Sequence, residues 1–351
     1  MKTIAGAPAA RMLAPDAALG EAVAWAVEYA VRAPSELNSQ PWSFRSRVDR
    51  LGETASVQVL LNRSHLLPSV DPGDREAVIA CGAALENLIL SLHGAELATR
   101  VDVLPGPPRT PRVLAEVTVG PHVRESSADR ALRLAIALRT SHRGPFGDMA
   151  VPAQIVDHLV AAAAGGGAPV VVADAAARSV LSTLDRQAGI RLLADSAYQR
   201  EVVAWSRVNA TRRADGVPGY ARGLSTWQSW LGPVRARTGL LMPTAPDRSP
   251  DLSKAPVLIV LGAPDDSPAA LLNAGRGLQR LLLTAQARGL AVSFCNAALH
   301  VPELRQAVGR AVLLDHPQVL LRVGYASQNH TVRRRPLRDV LQMQPQPGGT
   351  R

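Results

Sequence analysis

Two short phrases in this 351-residue chain combine residue types suited to binding and orienting a ligand. The first is R-T-S-H-R (139–143), with arginines at 139 and 143 around Ser141. In an extended chain or open turn, Arg139, Ser141 and Arg143 point the same way. Two guanidinium forks and a hydroxyl suit a phosphate or a polyoxygen chain. A solvated loop ahead of the V-P-A-Q-I helix stays open as a reading from spacing alone. The second phrase, A-P-S-E-L-N-S-Q-P-W (33–42), sets polar, turn-forming residues between two prolines directly after a helix-like run. It occurs once.

Other chemistries find no support. G-R-G (275–277) lacks the third glycine of a dinucleotide loop and lies inside a helical pattern, away from any strand-to-helix turn. G-G-G-A-P (165–169) precedes a strand and reads as a loop. There is no Walker phosphate loop and no G-x-S-x-G elbow. The eight histidines form no H-x-x-x-H pair, and His142 and His158 read as surface or hydrogen-bonded residues, so no metal site is expected. Cys81 and Cys295 are too few and too far apart for a disulfide framework. Cys81 reads as a small buried apolar residue in a reducing compartment.

The elements that must hold these phrases follow from periodicity. Residues 17–32 predict an amphipathic helix that ends at Pro34. Strands are expected at 42–48 and 56–62, a helix at 75–96, and a strand at 113–119. Helical patterns follow at 129–138, 152–164 and 176–209, with a strand at 169–174. A buried strand at 255–262, a helix at 269–289 and a last strand at 319–326 complete the pattern, and a basic tail follows.

Parts of this pattern occur twice. G-A-A-L-E-N-L-I-L (82–90) matches G-R-G-L-Q-R-L-L-L (275–283), and both helices run on to a glycine, Gly94 and Gly289. P-R-V-L-A-E-V-T-V (111–119) matches P-Q-V-L-L-R-V-G-Y (317–325) in the same order. Shared order and glycine placement indicate a duplicated fold.

Composition is that of a globular chain, 47% apolar and 19% charged. The net charge of +10 is uneven: residues 1–138 sum to −1 and residues 139–351 to +11. Most arginines are dispersed, and aromatics for base stacking make up 3%, which argues against nucleic acid. No stretch is expected to reach membrane-spanning length, and M-K-T-I-A-G-A-P has no signal-peptide core. A cytoplasmic protein without membrane contact is the expectation.

A-P-S-x-x-N-x-Q-P-W together with R-x-S-x-R resembles the nitroreductase family. More closely, the chain resembles the Acg family of nitroreductase-like proteins that bind flavin mononucleotide (FMN), over most of residues 15–341. That resemblance implies an α+β fold of two fused nitroreductase-like halves, residues 1–135 and 136–351, pairing as an intramolecular pseudo-dimer. In ordinary nitroreductases each subunit carries both motifs. Here the first half keeps A-P-S-E-L-N and the second keeps R-T-S-H-R, so one composite site and one FMN per chain are implied.

By the same resemblance, Arg139, Ser141 and Arg143 hold the phosphate, ribityl and pyrimidine side, and Pro34, Ser35 and Asn38 approach the isoalloxazine. Gln40 and Trp42 fix the loop. Arg335 is the best match to a phosphate-binding arginine after the last strand, with Arg333 and Arg334 as alternatives. S-F-C-N-A (293–297), with Cys295 and Asn296, occupies the place that contacts the flavin edge and N5. The family's chemistry is hydride transfer from NAD(P)H to a nitro- or quinone-like small molecule, with no side chain assigned as acid or base. Segment 206–250 is long for a connection and reads as a lid or as a helix pair with core tryptophans. A closed lid would instead make the protein an FMN store with little turnover. The pseudo-dimer interface is internal, so the chain could act as a monomer.

Overall fold

The computed structural model describes residues 13–14, 17–49, 52–105, 113–229, 251–326 and 331–344. Helix α1 (Leu19–Ala30) buries Val23, Ala26, Val27 and Ala30 on one face. The periodicity then changes to two, with Trp42 and Phe44 buried in β1 (Trp42–Val48) and Val57 and Val59 in β2 (Ala55–Leu61). After α2 (Arg75–Gly94) come β3 (Leu97–Val103), β4 (Val113–His122) and α3 (Ser127–Ile136). The four strands pair antiparallel in the order β3-β4-β2-β1.

A second set of elements starts with α4 (Ala153–Ala164), β5 (Ala168–Val171), α5 (Ala175–Ala194) and α6 (Ser196–Ala204). The helical pattern expected over 176–209 is thus two helices. Asp195 divides them, because its carboxylate accepts from the amides of Ala197 (2.7 Å) and Tyr198 (3.3 Å) and caps α6. Two-residue strands β6 (Ser206–Arg207) and β7 (Val217–Pro218) pair in parallel. Next come β8 (Val257–Ala263), α7 (Pro268–Ala287), β9 (Ala291–Phe294), α8 (Pro302–Val312) and β10 (His316–Gly324). The sheet β5-β8-β10-β9 is antiparallel and covered on both faces. Val257, Ile259 and Leu261 of β8 join the larger core, while Leu258 and Val260 join a smaller one with α5 and α8. The architecture is α+β.

The basic tail expected after β10 is a structural element in its last part. β11 (Leu341–Gln344) returns to the first sheet and pairs in parallel with β1, Phe44 opposite Leu341. The short edge strand β3 and the four-residue β9 also escaped the sequence reading. β3 carries charged residues on half-exposed backbone, so it shows no apolar run.

Helices α2 and α7 cross at the centre. A Cβ added to Gly82 would overlap the Leu272 carbonyl, and one added to Gly275 would overlap the Ile79 carbonyl. These glycines are the equivalent positions of the two repeated phrases. Beside the crossing, the Gln279 amide donates to Asn87 (2.7 Å), and Arg276 and Arg280 both bind the buried Glu86 (3.0 and 2.7 Å). By length and composition α2 could cross a membrane, with a mean hydropathy of 1.5 over 18 residues, contrary to the expectation that no stretch comes near. Its surroundings explain the composition: 89% of that window is buried inside the protein.

Candidate functional site

The A-P-S-E-L-N-S-Q loop is shaped by unusual backbone. Leu37, Asn38 and Gln40 all have left-handed φ, 48°, 54° and 55°. Each such non-glycine residue costs about 1–3 kcal/mol unless its surroundings fix it. Here side chains fix it. Ser35 Oγ accepts from the Gln40 amide (3.0 Å), and Gln40 is fully buried. Gln40 Nε2 donates to the Ala214 carbonyl (2.7 Å), and its Oε1 accepts from the Arg335 amide (2.8 Å). Asn38 Nδ2 donates to the carbonyls of Gly216 (3.0 Å) and Arg333 (3.2 Å), and its Oδ1 accepts from Arg334 (2.5 Å). Trp42 is fully buried at the start of β1.

R-T-S-H-R leaves α3 and meets the second sheet. Ser141 bridges to Val292, and the His142 amide donates to the Val292 carbonyl (2.8 Å). Both phrases reach a cleft of about 210 Å³ lined from both halves of the chain. Pro34, Ser35 and Glu36 line it from one side, and Ser141, Arg143 and Asn296 from the other. Ile79 and Ala80 of α2, with Leu278 of α7, supply apolar wall.

Arginines crowd this cleft and its margin. Arg139 is buried and its Nε has no partner among the described residues. Burial and then neighbouring Arg143 push its guanidinium down to about 10. Arg334 is pushed down to about 9 by burial and by Arg139, Arg143 and Arg32, and its Nε is also unpartnered among the described residues. Burial lowers Arg143 as well, opposed by Glu36. Arg222, in the segment after β7, lines the same cleft and is lowered by burial and Arg143. Crowded, dehydrated guanidinium groups of this kind are stabilised by anions, and a phosphate carries the charge and acceptor oxygens that suit them.

Two carboxyl groups, Glu36 and Glu76, also line the cleft. Glu76 Oε1 accepts from Arg75 (3.1 Å), Asn296 (3.0 Å) and His300 Nε2 (3.0 Å). Burial alone would raise this carboxyl, but His300, Arg75 and Asn296 outweigh burial and hold it at about 2. Burial works against charge on His300, yet Glu76 outweighs it and raises the imidazole. Glu36 is raised by burial and by the charge of Glu76.

Of the sequence candidates, Pro34, Ser35, Ser141, Arg143 and Asn296 line the cleft, and Arg139 adjoins it through Ser141 (3.4 Å). Asn38 lies beside it with its amide committed to three partners. Arg335 turns to the carbonyls of Gln40 (3.4 Å), Trp42 (3.5 Å) and Asp339 (2.6 Å). Cys295 sits in the smaller core, where burial pushes its thiol up to about 11. Glu36, Glu76, Arg222 and His300 were not singled out. Glu36 lies inside the quoted phrase, and Glu76 follows the turn-rich P-S-V-D-P-G-D, but no local pattern marks Arg222 or His300.

In segment 206–250, Ala214 and Gly216 bond to the A-P-S-E-L-N-S-Q loop, and Val217 and Arg222 line the cleft. Trp227 is 65% exposed. Trp230 and residues 241–247 lie outside the described residues.

Fold and site together define an α+β chain with a cleft lined from both halves of the sequence. The chain belongs to the nitroreductase family: the profile described as "Nitroreductase family" matches residues 136–325. It is 32% identical over 318 residues to "Putative NAD(P)H nitroreductase Rv3131" of Mycobacterium tuberculosis, covering 90% of this chain and 87% of that one. It is 29% identical over 334 residues to "Putative NAD(P)H nitroreductase acg" of the same organism, covering 90% and 94%. Among solved structures, a nitroreductase in complex with FMN from Desulfovibrio desulfuricans aligns with 16% identity and a TM-score of 0.37, over 62% of this chain and 98% of that one.

Proposed function

We propose that the chain is an FMN-dependent NAD(P)H oxidoreductase, with one FMN in the cleft between two nitroreductase-like halves. The observation that carries this reading is a cleft lined from both halves by Arg143 and Arg222, with Arg139 bonded to its Ser141 and Arg334 close enough to feel Arg139 and Arg143. The unpartnered Nε atoms of Arg139 and Arg334 fit a ligand phosphate. Ser141 and Arg143 would hold the polar tail, and Pro34, Ser35, Ile79 and Leu278 would face the ring. FMN would supply hydride transfer between a nicotinamide and a nitro- or quinone-like acceptor. The residues bind, orient and exclude water. The reciprocal placement of Gly82 and Gly275 supports reading the two halves as an internal pseudo-dimer.

A second reading, FMN storage with little turnover, has one observation in its favour. Segment 206–229 is bonded to the loop at the cleft and contributes Val217 and Arg222 to its wall. Anaerobic mixing with NADPH or NADH separates the two. Bleaching of the flavin band supports the oxidoreductase. A yellow protein that does not bleach over minutes supports storage. A colourless protein that takes up no FMN overturns both.

A further inference from the structure

We propose that Glu36, which lines the cleft with no partner for its carboxyl among the described residues, gives the acceptor the proton that accompanies hydride. This rests on the oxidoreductase reading and deepens it by assigning a proton donor. A quinone becomes a hydroquinone by gaining two electrons and two protons. Hydride from reduced flavin, itself refilled by a nicotinamide, brings both electrons and one proton. The remaining proton must come from a group in the cleft or from water.

Three side chains with proton-carrying carboxyl or imidazole groups line the cleft: Glu36, Glu76 and His142. His142 Nε2 is bonded to the Pro145 carbonyl (2.9 Å). Glu76 is ionised and holds three donors on one oxygen. The Glu36 carboxyl has no hydrogen-bond or ion-pair partner among the described residues, so its proton is free to leave toward a bound molecule.

The surroundings favour the protonated form of Glu36. From α2 and the turn before it, the negative charges of Glu76 and Asp71 raise it, after burial. From the second half, His300 and Arg143 pull the other way and lose. Arg222 and Tyr198 feel the charge of Glu36 in turn. His300 lies behind Glu76, with its Nδ1 buried and unpartnered among the described residues, and packs near Tyr198 (ring centroids 6.5 Å apart). In the step, the O–H bond of Glu36 breaks, one quinone oxygen gains that proton as the other gains hydride, and Glu36 is left as carboxylate. The charge of Glu76 disfavours that carboxylate, so it takes a proton back from water before the next turnover.

The test compares an acceptor that needs a proton with one that does not. In the flavin-loaded protein, Glu36→Gln lowers the ratio of benzoquinone to ferricyanide turnover about a hundredfold at pH 7, the low end of general-acid effects. Glu36→Asp restores part of that ratio. In Glu76→Gln, Glu36 loses the charge that raises it, so the falling alkaline limb of benzoquinone turnover moves to lower pH. Carbon-13 NMR of the flavin-free protein reads the same shift directly in the Glu36 carboxyl, independent of activity. Wild type that bleaches with NAD(P)H, together with an unchanged ratio in Glu36→Gln, overturns the inference and leaves the oxidoreductase standing. Wild type that never bleaches takes both down. A Glu36 carboxyl that titrates in the ordinary range and ignores Glu76→Gln also overturns it.

Discussion

Gly82 and Gly275 occupy reciprocal positions where α2 crosses α7: the absent side chain of each would stand on a carbonyl three residues before the other. The obstacle in both cases is backbone, which no rotamer change relieves. Gly82→Ala or Gly275→Ala should therefore cost about 3 kcal/mol or more. Because both act on one crossing, their effects should not add. Urea unfolding of the two single variants and the double variant measures this. A loss under ~1 kcal/mol in both singles would mean that the helices are not so close.

Three arginines in a row, Arg333 to Arg335, part company in space. Arg334 enters the cationic cluster, whereas Arg335 binds carbonyls of the loop and of Asp339. Arg334→Ala should weaken FMN binding about 10- to 100-fold, the range of one charge-assisted hydrogen bond. Arg139→Ala should do the same. Arg335→Ala should lower the melting temperature and change FMN affinity by less than about threefold. Flavin fluorescence titration decides, and equal losses at 334 and 335 would refute the division.

Asn38 ties three segments together, accepting from Arg334 and donating to Gly216 and Arg333, from a left-handed backbone position that asparagine tolerates better than alanine. Asn38→Ala should destabilise the protein by about 2–4 kcal/mol. It should also release segment 206–229, seen as faster proteolytic cleavage there. Cleavage at the wild-type rate would show that the segment is held by other contacts.

The Glu76–His300 pair sets a pH window for stability. Glu76 is depressed from 4.5 to about 2, so its contribution is present above 4.5 and fades as pH falls toward 2. His300 is raised above 6.5, so its contribution is full below 6.5 and fades as pH rises through the folded value. The share of stability lost in His300→Gln should be largest between these limits. Unfolding midpoints measured from pH 4 to 9 test this, and a pH-independent difference would contradict it.

Where local pattern decides structure, the sequence was legible. The alternation of W-S-F-R-S-R-V matches β1 residue for residue, and the apolar run from Arg75 matches α2. The i, i+2, i+4 spacing of Arg139, Ser141 and Arg143 anticipated their meeting at one place. Contacts between distant segments left no such trace. Arg222 reaches the cleft, and His300 reaches Glu76, only through contacts between segments far apart in the chain. Which arginine of a triplet turns inward depends on backbone path, and composition is silent on it. β11 was missed because a four-residue strand with two exposed side chains carries almost no periodic signal.

That last strand has a kinetic consequence. Arg334, bonded to Asn38, lies a few residues before 341–344, which pair beside β1. With Arg334 as a ligand of FMN, the cofactor's residence time should depend on how firmly residues 341–344 pair with β1. Removing residues 341–344 would shorten that time even though none of them belongs to the cleft.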